Sequence, residues 1–202
     1  MPSKSSGALA VKLGGYFLLG LIIYLLLNHF SLQIDVDNLI RSAFIDLIIG
    51  VFWEFVFNRW LWRTRVFRTI LNIKTPYIHG RWKGHIKSSF DNFQTQFPIV
   101  IEICQTYKST QLTYYDQRSM SRALVTEFFM EEGALPKLLC IYRNEPTVAH
   151  KKNLQIHYGT MILTIPSNWT KISGVYFNYF LQRETYGELS IELEHRKLKY
   201  GL

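Results

Sequence analysis

This sequence predicts an N-terminal two-helix transmembrane hairpin followed by an all-β domain, an antiparallel up-and-down β-barrel of about eight strands. Three observations carry that expectation. Leu13 to Ile34 is a run of 22 residues without a formal charge. A second apolar run, rich in aromatics, lies between Arg41 and Arg59. Beyond Lys74 the hydrophobic period changes from helical to alternating. These place a membrane hairpin at 1–75, with helices at about 13–34 and 42–62, and a ligand-binding barrel at 76–202.

The first run contains "LLGLIIYLLL". At about 1.5 Å of rise per residue it reaches roughly 33 Å, enough to cross a hydrocarbon core of about 30 Å. A cleavable signal would have a shorter apolar region with small residues before its cleavage site. Here "NHFSLQ" follows, so a retained helix is expected. The second run closes on "NRWLWRTR", where Trp53, Trp60 and Trp62 suit an interfacial belt. Arg59, Arg63, Arg65 and Arg68 lie in or just beyond it, and no acid occurs until Asp91. The link between the runs carries Asp35 and Asp37, while Lys4 and Lys12 precede the first run. Positive charge marks the inner side, so the expected topology is two spans with both the N-terminus and the C-terminal domain cytoplasmic.

Two carboxylates interrupt the second run, Asp46 and Glu54 in "FIDLIIGVFWEF". At about 100° per residue, Ala43, Asp46, Gly50, Glu54 and Phe57 share an arc of about 80° on one helix face. The plain reading puts Glu54 at an interface near Arg59 and Asp46 near the outer end. The sharper one makes Ala43, Asp46, Gly50 and Glu54 an assembly stripe packed against another copy of the hairpin, because a mid-membrane carboxylate costs about 2.5–3.5 kcal/mol and is rarely left facing lipid tails.

In the second part, "GRWKGHIKS" sets Trp82, Gly84 and Ile86 against Arg81, Lys83, His85 and Lys87. "PIVIEICQTY", "QLTYYDQR", "RALVTEFFM", "KLLCIYRN", "NLQIHY", "GTMILTI", "GVYFNYFLQR" and "GELSIELE" continue the strand pattern, separated by turn-like pieces such as "EEGALP" and "PSNWTKISG". A barrel is favoured over a sandwich because closure removes exposed edges and can enclose one ligand. Gly80-x-Trp82 resembles the opening strand of lipocalin-like and avidin-like barrels, whose Trp closes the floor.

The formal charge of +8 divides equally, eight Lys/Arg against four Asp/Glu in 1–75 and fifteen against eleven beyond. A basic excess suits nucleic acid, anionic lipid or a phosphorylated small ligand and chooses none of them. Cys104 and Cys140 have no metal-ligand spacing and read as reduced core residues. The six histidines form no ligand pair, and neither a nucleophile elbow nor a phosphate loop occurs. No catalysis, metal or cofactor is expected. Tyrosines able to stack on bases are plentiful (Tyr107, Tyr114, Tyr142, Tyr158, Tyr176), as are arginines able to meet phosphates. For most of these taken singly, an ordinary place on a barrel strand or a solvated face explains them as well.

The short N-terminal hairpin with "RWLWRTR", the first strand "HGRWKGHI" and the late "ISGVYFNY…RETYGELSIE" together resemble the two-transmembrane, β-strand-rich effectors of bacterial CBASS anti-phage systems. The likeness spans essentially the whole chain, with Gly174, Tyr176, Arg183, Thr185 and Gly187 in its late block. The resemblance implies a barrel that binds a cyclic dinucleotide made by a partner CD-NTase nucleotidyltransferase. Binding would drive self-association of the hairpins, disruption of the bacterial inner membrane, and death or arrest of the infected cell. On this resemblance Trp82, Tyr107, Thr110, Arg143, Tyr176, Arg183 and Thr185 are expected near the ligand, the arginines at phosphates and Trp82 and Tyr176 at the floor or wall. No direct DNA or RNA binding is expected. The competing classes are a membrane-tethered carrier or sensor of an apolar ligand and a membrane scaffold.

Overall fold

A computed structural model describes residues 36–116, 118–150, 156–180 and 183–199. The first expected span, 13–34, lies outside the described residues. The chain divides into two compact units, Met1–Trp53 and Glu54–Leu202. Residues 54–75 therefore pack with the barrel, whereas the sequence reading counts them with the hairpin.

In the first unit, helix α1 (Val36–Val51) starts six residues before the expected helix boundary at 42. Ala43, Asp46 and Gly50 lie on it and are exposed, as are Phe44, Ile45, Leu47, Ile48 and Ile49. Among the described residues no helix is long and apolar enough to cross a membrane.

The constant 100° phase expected as far as position 62 ends at Phe52. A π-helical turn, Phe52–Phe57, takes over, and a 3-10 turn follows at Leu61–Arg63. A π turn places more residues per revolution, so the angular stripe drawn for a regular helix does not extend through Glu54. A short helix α2 (Arg65–Ile70) completes the segment.

The second unit is built on a closed barrel. Its strands are β1 (Gly80–Ser88), β2 (Phe97–Gln105), β3 (Thr110–Tyr115), β4 (Ser119–Phe129), β5 (Lys137–Pro146), β6 (His157–Thr164), β7 (Lys171–Phe180) and β8 (Arg183–His195). Each pairs antiparallel with its sequence neighbour, and β8 returns to β1. The expected up-and-down topology and strand number both hold. "NLQIHY" and "GTMILTI" do not make two strands: a single strand starts at His157, and 151–155 lie outside the described residues.

Strand alternation sorts the interior into two levels. Toward the end where β1 begins, Trp82, Ile101, Ile103, Leu112, Leu138, Cys140, Leu163, Ile172 and Ile191 are almost completely buried. This apolar level is the floor, and side chains fill it. Trp82 Nε1 donates to Ile78 O at 3.0 Å, while Gln105 bridges Pro76 O and Ile78 N at 2.9 and 2.8 Å. The segment before β1 closes this end: Phe57 meets the Tyr107 ring edge-on at 5.2 Å, and Trp62 meets Tyr77 at 5.5 Å. Asn58 holds the β2–β3 turn, its carbonyl accepting from Tyr107 N at 3.0 Å and its side chain from Lys108 N at 3.0 Å. Outside the barrel wall, Arg81 is buried between Glu102 at 2.7 Å and Glu194 at 2.9 Å.

Candidate ligand-binding site in the barrel mouth

At the opposite end the same inward rows turn polar. Register places Tyr114 beside Ser121, Ser121 beside Asn144, Tyr142 beside Gly159, Gly159 beside Asn178, and Asn178 beside Thr185. Successive inward positions on neighbouring strands thus form one ring of polar side chains above the apolar floor.

Their hydrogen bonds form two chains. Tyr142 donates its hydroxyl to Asn178 Oδ1 at 2.7 Å, and Asn178 Nδ2 donates to Thr185 Oγ1 at 3.1 Å. Asn144 Nδ2 donates to Ser119 Oγ at 2.7 Å and to Ser121 Oγ at 2.8 Å. Ser119 in turn donates to Asp116 Oδ2 at 2.8 Å. Buried polar groups joined in this way hold fixed orientations, because leaving any one unpaired costs about 1–3 kcal/mol.

Two glycines make room for the tyrosine rings. A Cβ on Gly159 would sit 2.3 Å from Asn178 Oδ1 and 2.6 Å from the Tyr142 ring; one on Gly187 would sit 2.4 Å from the Tyr176 ring and 2.0 Å from Lys87 O. Burial, with the Asp116 carboxylate and the neighbouring tyrosines adding to it, holds the Tyr114 hydroxyl well above the usual phenol range. Burial likewise pushes up Tyr142 and Tyr176. All three remain neutral donors at physiological pH.

At the rim, the β1–β2 loop carries Asp91, which accepts from Thr95 N at 2.8 Å through Oδ2; its Oδ1 is buried with no partner. The hydrogen bonds from Thr95 hold its carboxyl below the usual range, so it is an anionic acceptor, and its charge adds to the raising of Tyr176. Asn92 and Phe93, with φ of 56° and 62°, hold this loop in left-handed backbone. Phe93 lies 5.9 Å from the Tyr186 ring, and Phe90 is 65% exposed.

The expected ligand residues are distributed as follows. Tyr176 and Thr185 are in the mouth ring, and Arg183 opens β8 at the same end, paired with Phe180. Trp82 is sealed in the floor at 0% exposure. Tyr107 and Thr110 lie at the far end, on the β2–β3 turn and the first residue of β3. Arg143 is on the outer wall, where Glu145 accepts its Nε at 2.9 Å. One interior site therefore unites Tyr176 and Thr185, with the backbone of Arg183 at the same end, and does not unite them with Tyr107, Thr110 or Arg143. The sequence reading passed over Ser119, Ser121, Asn144 and Asn178. Their signal was parity: each shares the inward row of a buried tyrosine or aliphatic on its own or the adjoining strand.

Chemically the mouth offers neutral donors from tyrosine and amide, acceptors from hydroxyls and from Asp91 and Asp116, and the cationic positions Arg118 and Arg183 at the rim. That combination suits a ligand bearing both nucleobase edges and phosphate. An apolar ligand would meet a polar ring above a floor already occupied. Among the described residues no cluster of His, Cys, Asp and Glu is placed to hold a metal ion.

No curated protein matches the chain significantly. Residues 73–193 match the family described as Cap15, cyclic dinucleotide receptor domain. That stretch is well over half of the chain and contains every strand but for the last two residues of β8. The chain therefore belongs to the Cap15 family of CBASS systems, and its barrel is a cyclic dinucleotide receptor domain.

Proposed function

We propose that the protein is a membrane effector of a cyclic-oligonucleotide anti-phage system. A cyclic dinucleotide, supplied by a CD-NTase nucleotidyltransferase, binds in the barrel mouth. Bases stack and pair against Tyr114, Tyr142, Tyr176 and the Asn144 and Asn178 amides, and phosphates face Arg183 and Arg118 at the rim. The observation that carries this reading is the preformed polar ring, Tyr142–Asn178–Thr185 and Asn144–Ser119–Asp116, at one end of a closed barrel.

The hairpin lies in the bacterial inner membrane with two spans, and the barrel is cytoplasmic. The uncharged 22-residue run and the distribution of Lys and Arg support this. Ligand shifts an assembly equilibrium because it binds the assembled form better than the resting one. Self-association then brings Asp46-bearing helices together, and carboxylates gathered in lipid make a hydrated seam that compromises the membrane. The protein performs no catalysis in this scheme.

A panel of cyclic dinucleotides titrated into the detergent-solubilised full chain by calorimetry tests the ligand. At least one should bind, and binding should weaken in Asn178→Ala. A panel with no binder would eliminate the reading.

A further inference from the structure

We infer that residues 59–71 make a second contact with the bilayer, a short surface foot that seats the barrel floor on anionic phospholipid headgroups. The inference rests on the membrane half of the reading above and adds a lipid class and a surface to it.

The side chains of this segment separate into two sets. Trp62 is buried, and Phe67 and Arg68 are half-buried. Arg68 pins α2 from the inner side. Its Nη2 donates to Ile73 O at 3.0 Å and Thr75 O at 2.7 Å, and its guanidinium lies 4.9 Å from the Trp169 ring and 5.9 Å from the Trp62 ring. With Phe67 and Arg68 turned inward, the helical period leaves Val66 and Ile70 on the outer side, 64% and 72% exposed. Trp60 and Leu71, at the two ends of the segment, are also exposed, at 54% and 44%. Arg59, Arg63 and Arg65 of the same segment are exposed, Arg63 with its Nη1 donating to the Tyr77 hydroxyl at 3.2 Å, and no acidic residue occurs between Glu54 and Asp91 in the sequence.

A segment that exposes apolar side chains beside three arginines and carries no acid of its own complements one surface above others. Lipid headgroups take the guanidinium groups while the acyl boundary takes Val66, Ile70, Leu71 and the Trp60 ring. A nucleic acid or an acidic protein would occupy the arginines and leave the most exposed apolar side chains in water. The foot belongs to the compact unit Glu54–Leu202, so its affinity for lipid is separable from that of any spanning helix.

Residues 54–202 carry the closed barrel and its own core, which permits a direct test by flotation. The fragment should float with liposomes of phosphatidylcholine mixed with phosphatidylglycerol and not with phosphatidylcholine alone. Arg65→Gln should weaken flotation about fivefold. Val66→Glu with Ile70→Glu should weaken it roughly tenfold or more, with an unchanged melting temperature and unchanged cyclic dinucleotide binding. In nanodiscs, the full chain should show slower amide exchange over 64–72 when phosphatidylglycerol is present. No flotation on either lipid overturns the proposal. Flotation that survives the Val66/Ile70 double change also overturns it, assigning the arginines to a polyanion instead. Loss of cyclic dinucleotide binding with lipid-dependent flotation intact would sink the functional reading and leave the foot standing.

Discussion

The Tyr142 hydroxyl sits 2.7 Å from Asn178 Oδ1, and Gly159 lies so close to both that a methyl group there would overlap them. Tyr142→Phe leaves that amide oxygen short of a donor, which should lower cyclic dinucleotide affinity about tenfold by calorimetry, equivalent to an unmade hydrogen bond of 1–2 kcal/mol. Gly159→Ala forces Tyr142 and Asn178 apart, and overpacking of this kind costs about 1–3 kcal/mol. Its effect on affinity should therefore match or exceed that of Tyr142→Phe. The raised tyrosines also set a pH dependence. Their unfolded value is 10.0 and their folded values lie higher, so the unfolded chain gives up protons first as pH rises. Stability should be full below pH about 10 and fall above it, less steeply in Tyr142→Phe, as followed by urea unfolding at pH 9 to 11. Parity along a strand decides which single residues face the interior. Tyr176 and Thr185 stand in inward rows and reach the mouth. Arg143 has the charge to meet a phosphate, but flanked by inward Tyr142 and Asn144 it points to the outer wall.

At the scale of elements, the β2–β3 turn is the part the sequence could not interpret. Tyr107 looks like a stacking residue, and the structure uses it as a floor contact for Phe57 and Trp62. Glu54 looks like half of a helix stripe, and its carboxylate pairs with Lys108 on that turn. Both partners are more than a third exposed, so the pair is worth about 0.2–1 kcal/mol at most, and Lys108→Ala should hardly move the melting temperature. Its use as a diagnostic is greater. If Glu54 acts through the turn, Lys108→Ala and Glu54→Ala should reduce killing alike in a phage-challenge plate assay. Asp46 is exposed on α1, and Asp46→Ala should reduce killing while leaving ligand affinity of the purified protein intact. Undiminished killing by Asp46→Ala would remove the assembly stripe from the mechanism.

For the whole molecule, the closed barrel has no free sheet edge and a floor sealed by large side chains. Trp82→Ala empties the largest part of that floor and should cost about 3–5 kcal/mol in urea unfolding of residues 54–202. Removing residues 1–53 should leave that unit folded and ligand-binding, with killing abolished in cells. A truncated protein that still kills would show that killing does not need residues 1–53.

The amino-acid order alone determined the all-β second part and its strand count, because a period of two is a local property that any window of sequence displays. Alternation in "GRWKGHI" set Trp82 on one face with Gly84 and Ile86, and the expectation that it lies near the ligand gives way to a sealed place in the floor. Tertiary structure decided which polar side chains meet. Asn144 and Ser119 are 25 residues apart, Tyr142 and Asn178 36, and their contact follows from the register of strands closed into a ring. Register is set by the packing of all eight strands together, so no local pattern contains it.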